Sequence, residues 1–264
     1  MVDVEQLSVI HDQIVNKKRG VLLITPGFNV PTMGCLLLVV IHAWVFFTGG
    51  THLTPSILRP LYESVAVSWS GIQAGRGAAL ITHSLFHGNW THVLVNAILF
   101  FYAAARLGHV LRPSRILLLF VICSLGAASV YVISQALLPG ISPNPLVGAS
   151  GGVMGMLLAQ TMIYPDSKML LLPISGRNMG KGLLVASLLL FLMTPELGLP
   201  LFSDFGQWMA GGFGRELFEI GHLYHFAGGL LGMTIVGFLL PRLVTLEELK
   251  FQRSKREEEM EATR

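Results

Sequence analysis

Gly148-Ala149-Ser150-Gly151-Gly152 opens an apolar run that continues to Tyr164, and the stretch Leu137–Ala149 just before it carries Pro139, Gly140, Pro143 and Pro145. So many helix breakers impose irregular backbone directly ahead of Ser150. Irregular backbone at membrane depth survives only where protein buries it or water reaches it. A hydroxyl bracketed by glycines at a helix start is a candidate nucleophile, because its small neighbours expose it and the first turn offers free amides, that of Ser150 included. The same five residues also match the G-x-S-x-G pattern of soluble α/β-hydrolases, which has meaning only between a strand and a helix of a parallel sheet. Here a broken loop and an apolar run flank it, so the soluble inference fails and the local logic remains.

The rest of the chain makes that apolar run a membrane segment. Of 264 residues, 52% are hydrophobic and 12% charged, with a mean hydropathy of +0.63, more apolar surface than an ordinary water-soluble core hides. Charge-free runs long enough to cross roughly 30 Å of hydrocarbon as helix give six candidate spans: Thr32–Thr48, Trp90–Ala105, Ile116–Leu138, Ser150–Tyr164, Gly182–Met193 and His222–Leu240. The fourth and fifth are short, so neighbours must bury them, their ends must extend, or the lipid must thin. The expected fold is therefore all-α, a polytopic bundle of six transmembrane helices.

Lysines and arginines orient it, because cytoplasmic loops retain positive charge. Fifteen of the eighteen fall in the four segments assigned inside: Lys17, Lys18 and Arg19, the stretch Arg106–Arg115, the stretch Lys168–Lys181, and Arg242–Arg264. Only Arg59, Arg76 and Arg215 fall outside. Both termini are expected in the cytoplasm, and the net charge of +3 reflects topology and attraction to anionic lipid rather than nucleic acid. No pattern of a cleaved signal peptide precedes the first span.

Three regions follow: a cytoplasmic tail over 1–31, whose Val21–Ile24 run touches the interface, a membrane domain over 32–241, and a charged cytoplasmic tail over 242–264 with a solvated helix from Glu247. Two outer loops are long. Gly49–Leu80 contains Pro60, Tyr62 and Trp69, suited to the headgroup level, and Thr194–Gly221 reads as a mobile cover. Cys35 and Cys123 lie within spans with no CxxC partner, which argues against a disulfide framework or zinc ribbon.

All fifteen acidic residues lie in tails or loops. That distribution argues against an intramembrane carboxylate relay, and hence against a small transporter. What the spans contain is polar and mostly uncharged. His225 opens the sixth in His225-Phe226-Ala227-Gly228-Gly229-Leu230-Leu231-Gly232. Gly228 and Gly232, four apart, form a small-xxx-small face that lets another helix approach closely and could bring the imidazole beside Ser150. With no acidic residue in the spans to orient it, a Ser/His pair is expected rather than a Ser-His-Asp triad. His92 and Asn96, also four apart, share one helical face and are suited to donate to a developing oxyanion; taken alone, the pair is better explained as helix glue, and its combination with Ser150 and His225 reverses that preference. The histidines around the second span invite a metal reading, but no H-E-x-x-H and no carboxylate ligand accompanies them, and none is expected.

These residues in this order resemble the rhomboid family of intramembrane serine proteases. Thr82-His83-Ser84-Leu85-Phe86-His87 followed by His92-x-x-x-Asn96 is similar to the family's histidine-rich approach to the second helix, Gly148-Ala149-Ser150-Gly151 to its G-x-S-G motif, and His225-x-x-Gly228-x-x-x-Gly232 to its sixth-helix motif. The resemblance covers most of Leu80–Leu240 and implies that Ser150 is the nucleophile, that His225 is the general base and later acid, and that His92, Asn96 and the Ser150 amide stabilise the oxyanion. It implies a water-filled cavity opening outward, a partly embedded first outer loop and a capping fifth loop. No cofactor or metal is implied, and the partners would be transmembrane protein substrates and membrane lipids. The compact core suggests a prokaryotic plasma (inner) membrane. Two departures stand out: no Trp-Arg pair occurs near Arg76, and Met154 stands four after the serine where the family commonly has an aromatic residue. The competing class is a non-proteolytic membrane chaperone or adaptor of the same fold, which usually lacks the nucleophile or the base.

Overall fold

The computed structural model describes residues 29–48, 55–138, 144–168, 173–219 and 221–240. The expected interfacial run Val21–Ile24 and the expected helix from Glu247 lie outside them. In order, the helices are α1 Val30–Thr48, α2 Pro55–Val65, α3 Trp69–Gln73, α4 Ala79–Thr82, α5 Trp90–Leu107, α6 Pro113–Leu137, α7 Ser150–Ile163, α8 Gly176–Leu192, α9 Phe202–Phe213, α10 Glu216–Glu219 and α11 His222–Leu239. Short 3-10 turns at His83–Leu85 and Pro195–Leu197 complete the set. Among the described residues there is no strand beyond two isolated bridges, Val67 with Leu146 and Lys168 with Ser175.

Among the described residues four helices, α1, α5, α6 and α11, are long and apolar enough to cross a membrane. Their outer faces carry large apolar side chains that a water-soluble protein would hide: Trp44, Ile98, Ile133 and Phe238 are all exposed. α7 has 14 residues, about 21 Å at helical rise, and falls short of the hydrocarbon thickness. Enclosure makes that tolerable. From Gly151 to Thr161 every residue but Met154 is buried, because α5, α6, α8 and α11 surround it. α1 packs on the outside against α5 and α6.

Helix starts are set by local chemistry. Asn89 has extended backbone and its side chain accepts from the His92 amide at 2.8 Å, capping α5. Ser175 caps α8 by accepting from Asn178 N. That cap starts α8 at Gly176, six residues before the expected Gly182, and includes Arg177 and Lys181 in its first turns; the charges end an apolar run without ending a helix.

The segments expected as outer loops are more ordered than loops among their described residues. Gly49–Leu80 contains α2 and α3. Tyr62 donates to the His87 carbonyl at 2.6 Å, and the Trp69 amide donates to Gln135 Oε1 at 2.7 Å, which ties the segment to α6. Val67 exchanges two backbone hydrogen bonds with Leu146, at 2.9 and 2.8 Å. The irregular backbone that leads to Ser150 is thereby braced by the turn between α2 and α3. At the opposite side, Arg115 donates to the Leu239 carbonyl at 2.7 Å and joins the ends of α6 and α11.

Candidate active site

Glycine brings α7 and α11 together. A Cβ placed on Gly228 would run into the Gly151 carbonyl, and one on Gly232 would run into that of Gly155. Gly151 and Gly155 are four apart on α7 as Gly228 and Gly232 are on α11, so two small-residue faces meet backbone to backbone. The N-terminal ends of both helices lie at this contact, with Ser150 beside Gly151 and His225 one turn before Gly228. Ser150 Oγ and His225 Nε2 are 2.7 Å apart. Both residues are half-buried. No hydrogen bond joins His225 to a carboxylate among the residues whose side chains are described.

The backbone at Gly148 needs glycine for two reasons. Its φ is +131°, a region L side chains rarely adopt, and a Cβ there would lie 2.7 Å from His92 Cε1. The His92 ring therefore covers the turn that precedes Ser150. Asn96 is buried, one helical turn further along the same face, and its Nδ2 donates to the His92 carbonyl at 2.9 Å. Val153 N is bonded to the Ala149 carbonyl at 3.0 Å, so the amides of the first turn of α7 precede the first intrahelical bond and remain free of it.

His83 and His87 lie outside the long apolar helices, between α4 and α5, and each holds this turn from behind. His83 Nδ1 donates to the Ala79 carbonyl at 2.9 Å, because a carbonyl can only accept. In the neutral ring Nε2 is then a bare acceptor. His87 Nε2 accepts from the Ala149 amide at 3.3 Å, and its Nδ1 is buried without a partner. Burial keeps both rings neutral: it pushes the His83 pKa down to about 4, and burial together with the His92 and His42 rings pushes that of His87 down to about 3. Among the described residues no group of three His, Cys, Asp or Glu side chains is arranged to hold a metal ion.

Sequence reasoning missed Tyr224. Its side chain is buried against Gly151, where a Cβ would sit 2.5 Å from Tyr224 Cζ. Its one O–H proton is shared between two acceptors, His83 Nε2 at 2.8 Å and the Gly148 carbonyl at 3.1 Å, and the hydroxyl oxygen lies 3.4 Å from Ser124 Oγ. One phenol thus joins α11, α6, the turn before α5 and the turn before Ser150. The only sequence signal was a phenol next to a histidine in an apolar segment, which must find a partner when buried; its partners are far away in the chain and no spacing rule reaches them.

Comparison with curated proteins gives no match. A family model of the rhomboid domain matches residues 74–242, a stretch that includes the Ser150–His225 contact, the His92 and Asn96 face, and both glycine faces. With more than half of its length matched, the chain belongs to the rhomboid family of intramembrane proteases and related membrane proteins.

Proposed function

We propose that the protein is an intramembrane serine endopeptidase that cleaves transmembrane segments of membrane-protein substrates with a Ser150/His225 dyad. The observation that carries the reading is the 2.7 Å contact between Ser150 Oγ and His225 Nε2 at a partly exposed site, hydrogen-bond reach for nucleophile and base. A relative that only holds client helices needs no such pair.

In the proposed reaction Ser150 Oγ–H gives its proton to His225 Nε2 as oxygen bonds to the scissile carbonyl carbon. The carbonyl electron pair moves onto oxygen, where the Ser150 amide, His92 and Asn96 would donate. His225 then returns the proton to the leaving amide nitrogen as the C–N bond breaks, which leaves an ester on Ser150. Water, deprotonated by His225, attacks that ester and regenerates the hydroxyl. Substrate helices must unwind locally, because their own hydrogen bonds shield the carbonyl; segments with Gly, Ala or Pro near the outer face cost least to extend.

The full reading includes six transmembrane helices, with α7 crossing inside the ring of neighbours and α8 crossing at its edge with an apolar face outward. Both termini face the cytoplasm, and the setting is a prokaryotic plasma membrane. Purified protein in detergent with a transmembrane reporter is the test: Ser150→Ala and His225→Ala abolish cleavage, EDTA leaves it intact, and a fluorophosphonate labels Ser150. Cleavage that persists in Ser150→Ala protein overturns the proposal.

A further inference from the structure

The segment after α8 is inside out for a water-exposed lid. α9 turns its small and polar side inward: Ser203 donates to the Thr194 carbonyl at 3.1 Å and accepts from Leu199 N at 2.9 Å. Gly206, three residues on, lies so close to the end of α8 that a Cβ would strike the Met193 carbonyl. Its opposite side is aromatic. Phe205 and Trp208 stack on each other with ring centroids 5.2 Å apart, and Trp208 is 68% and Phe213 73% exposed. The one charged side chain between Pro200 and Gly214, Asp204, is taken up by the helix start, where Oδ2 accepts from Leu201 N at 3.3 Å.

Leu201 points the same way. It has φ +70°, where glycine or asparagine would be relaxed, and its side chain is 79% exposed. A strained turn that displays an isobutyl group outward gains nothing in water. It gains in contact with acyl chains.

We propose that α9 is an interfacial helix whose Leu201, Phe205 and Trp208 face is seated in the bilayer surface around α8, its partner being lipid rather than water, the catalytic bundle or a second protein. Two observations select lipid. The backbone of α9 is fused by the Gly206 contact to the end of α8, whose exposed Val185 and Leu189 already present an apolar face, so the two surfaces are continuous. The exposed aromatic pair includes an indole, whose apolar ring and N–H suit the headgroup level. The segment expected to be a mobile cover is on this reading anchored beside the site and moves with α8.

The test does not depend on proteolysis. In protein carrying Cys35→Ala and Cys123→Ala, nitroxide labels are placed by Trp208→Cys and, separately, Phe205→Cys. Reference labels come from Phe238→Cys, 87% exposed on α11, and from Asp166→Cys on a polar loop. In liposomes, power saturation compares relaxation by oxygen, which partitions into lipid, with relaxation by a water-soluble nickel chelate. The expected result is that oxygen dominates at 208 and 205, as at 238. Dominance of the chelate, as at 166, makes α9 a solvated lid and overturns the proposal; shielding from both reagents means that protein covers the face and overturns it equally. Two sites keep the test decisive where one substitution impairs folding.

Discussion

Replacing Gly228 by alanine should separate Ser150 and His225 without touching either residue. The added Cβ would lie 2.7 Å from the Gly151 carbonyl carbon and 3.0 Å from its Cα, against about 3.5–4.0 Å for carbon atoms in ordinary contact. Both atoms are backbone, so no side chain can swing aside. α11 must retreat from α7 by about 1 Å, and the contact between Ser150 Oγ and His225 Nε2, 2.7 Å across the same interface, opens beyond hydrogen-bond range. A misplacement of that size costs on the order of 100-fold in rate, equivalent to about 2.7 kcal/mol of barrier, and overpacking should cost about 1–3 kcal/mol of stability. The assay is kcat/KM on a transmembrane reporter together with thermal unfolding in one detergent. Gly182→Ala is the control, since a Cβ on Gly182 meets nothing within 4 Å and alanine in a helix interior is favoured by up to about 1 kcal/mol; it should leave turnover intact. Native turnover in a folded Gly228→Ala protein would falsify the idea that the glycine face sets the distance between the two groups.

Tyr224→Phe keeps the ring on Gly151 and removes the hydroxyl that reaches His83 and Gly148, so buried acceptors lose their donor at a cost of about 1–3 kcal/mol. Tyr131→Phe loses one more accessible bond, to the Asn144 carbonyl, and should cost less; equal thermal shifts for the two variants would remove Tyr224 from its central place. Asn96→Ala should lower turnover on the order of 100-fold, as expected for a missing oxyanion donor, in protein that still folds; an aggregated product would instead mark Asn96 as helix glue. Acid should destabilise the protein through His83 and His87, whose folded pKa values of about 4 and about 3 lie below the ordinary imidazole value of 6.5. Between those limits the unfolded chain binds more protons, so the stability from burying the neutral rings is intact above about pH 6.5 and is lost as pH falls toward 4 and 3. Thermal unfolding from pH 7.5 to 5 reads this, and a flat profile refutes it.

The long apolar helices were legible because their signal is additive over many residues. The apolar run beginning at Trp90 becomes α5 with its end two residues further on, at Leu107. α8 was legible in place but not in length, since Ser175 starts it and hydropathy does not register a cap. The outer segments were the least legible. α9 places aromatic residues outward and Ser203 inward, and a periodicity argument that assumes water outside assigns those faces the wrong way round. The meeting of α7 and α11 could be anticipated from Gly228 and Gly232, because a small-residue face states what it permits. Tyr224 could not, since a buried phenol states only that it needs partners, and its partners are supplied by the fold.

Among the described side chains no carboxylate holds His225, and the place of the site gives a reason. An ionised orienter beside the imidazole would have to be desolvated among α6, α7 and α11, and an isolated buried carboxylate costs several kcal/mol unless fully paired. Rigid packing can do the same orienting work with uncharged groups. His225 is anchored within a helix whose next turn is locked by the Gly228 approach to Gly151, and its neighbour Tyr224 is fixed by His83, Ser124 and the Gly148 carbonyl. The same phenol reaches the carbonyl two residues before Ser150, so His225 and Ser150 share a brace. Met154 stands four after Ser150, and the aromatic ring beside the start of α7 comes instead from the residue next to His225: Tyr224 packs against Gly151 from the opposite helix.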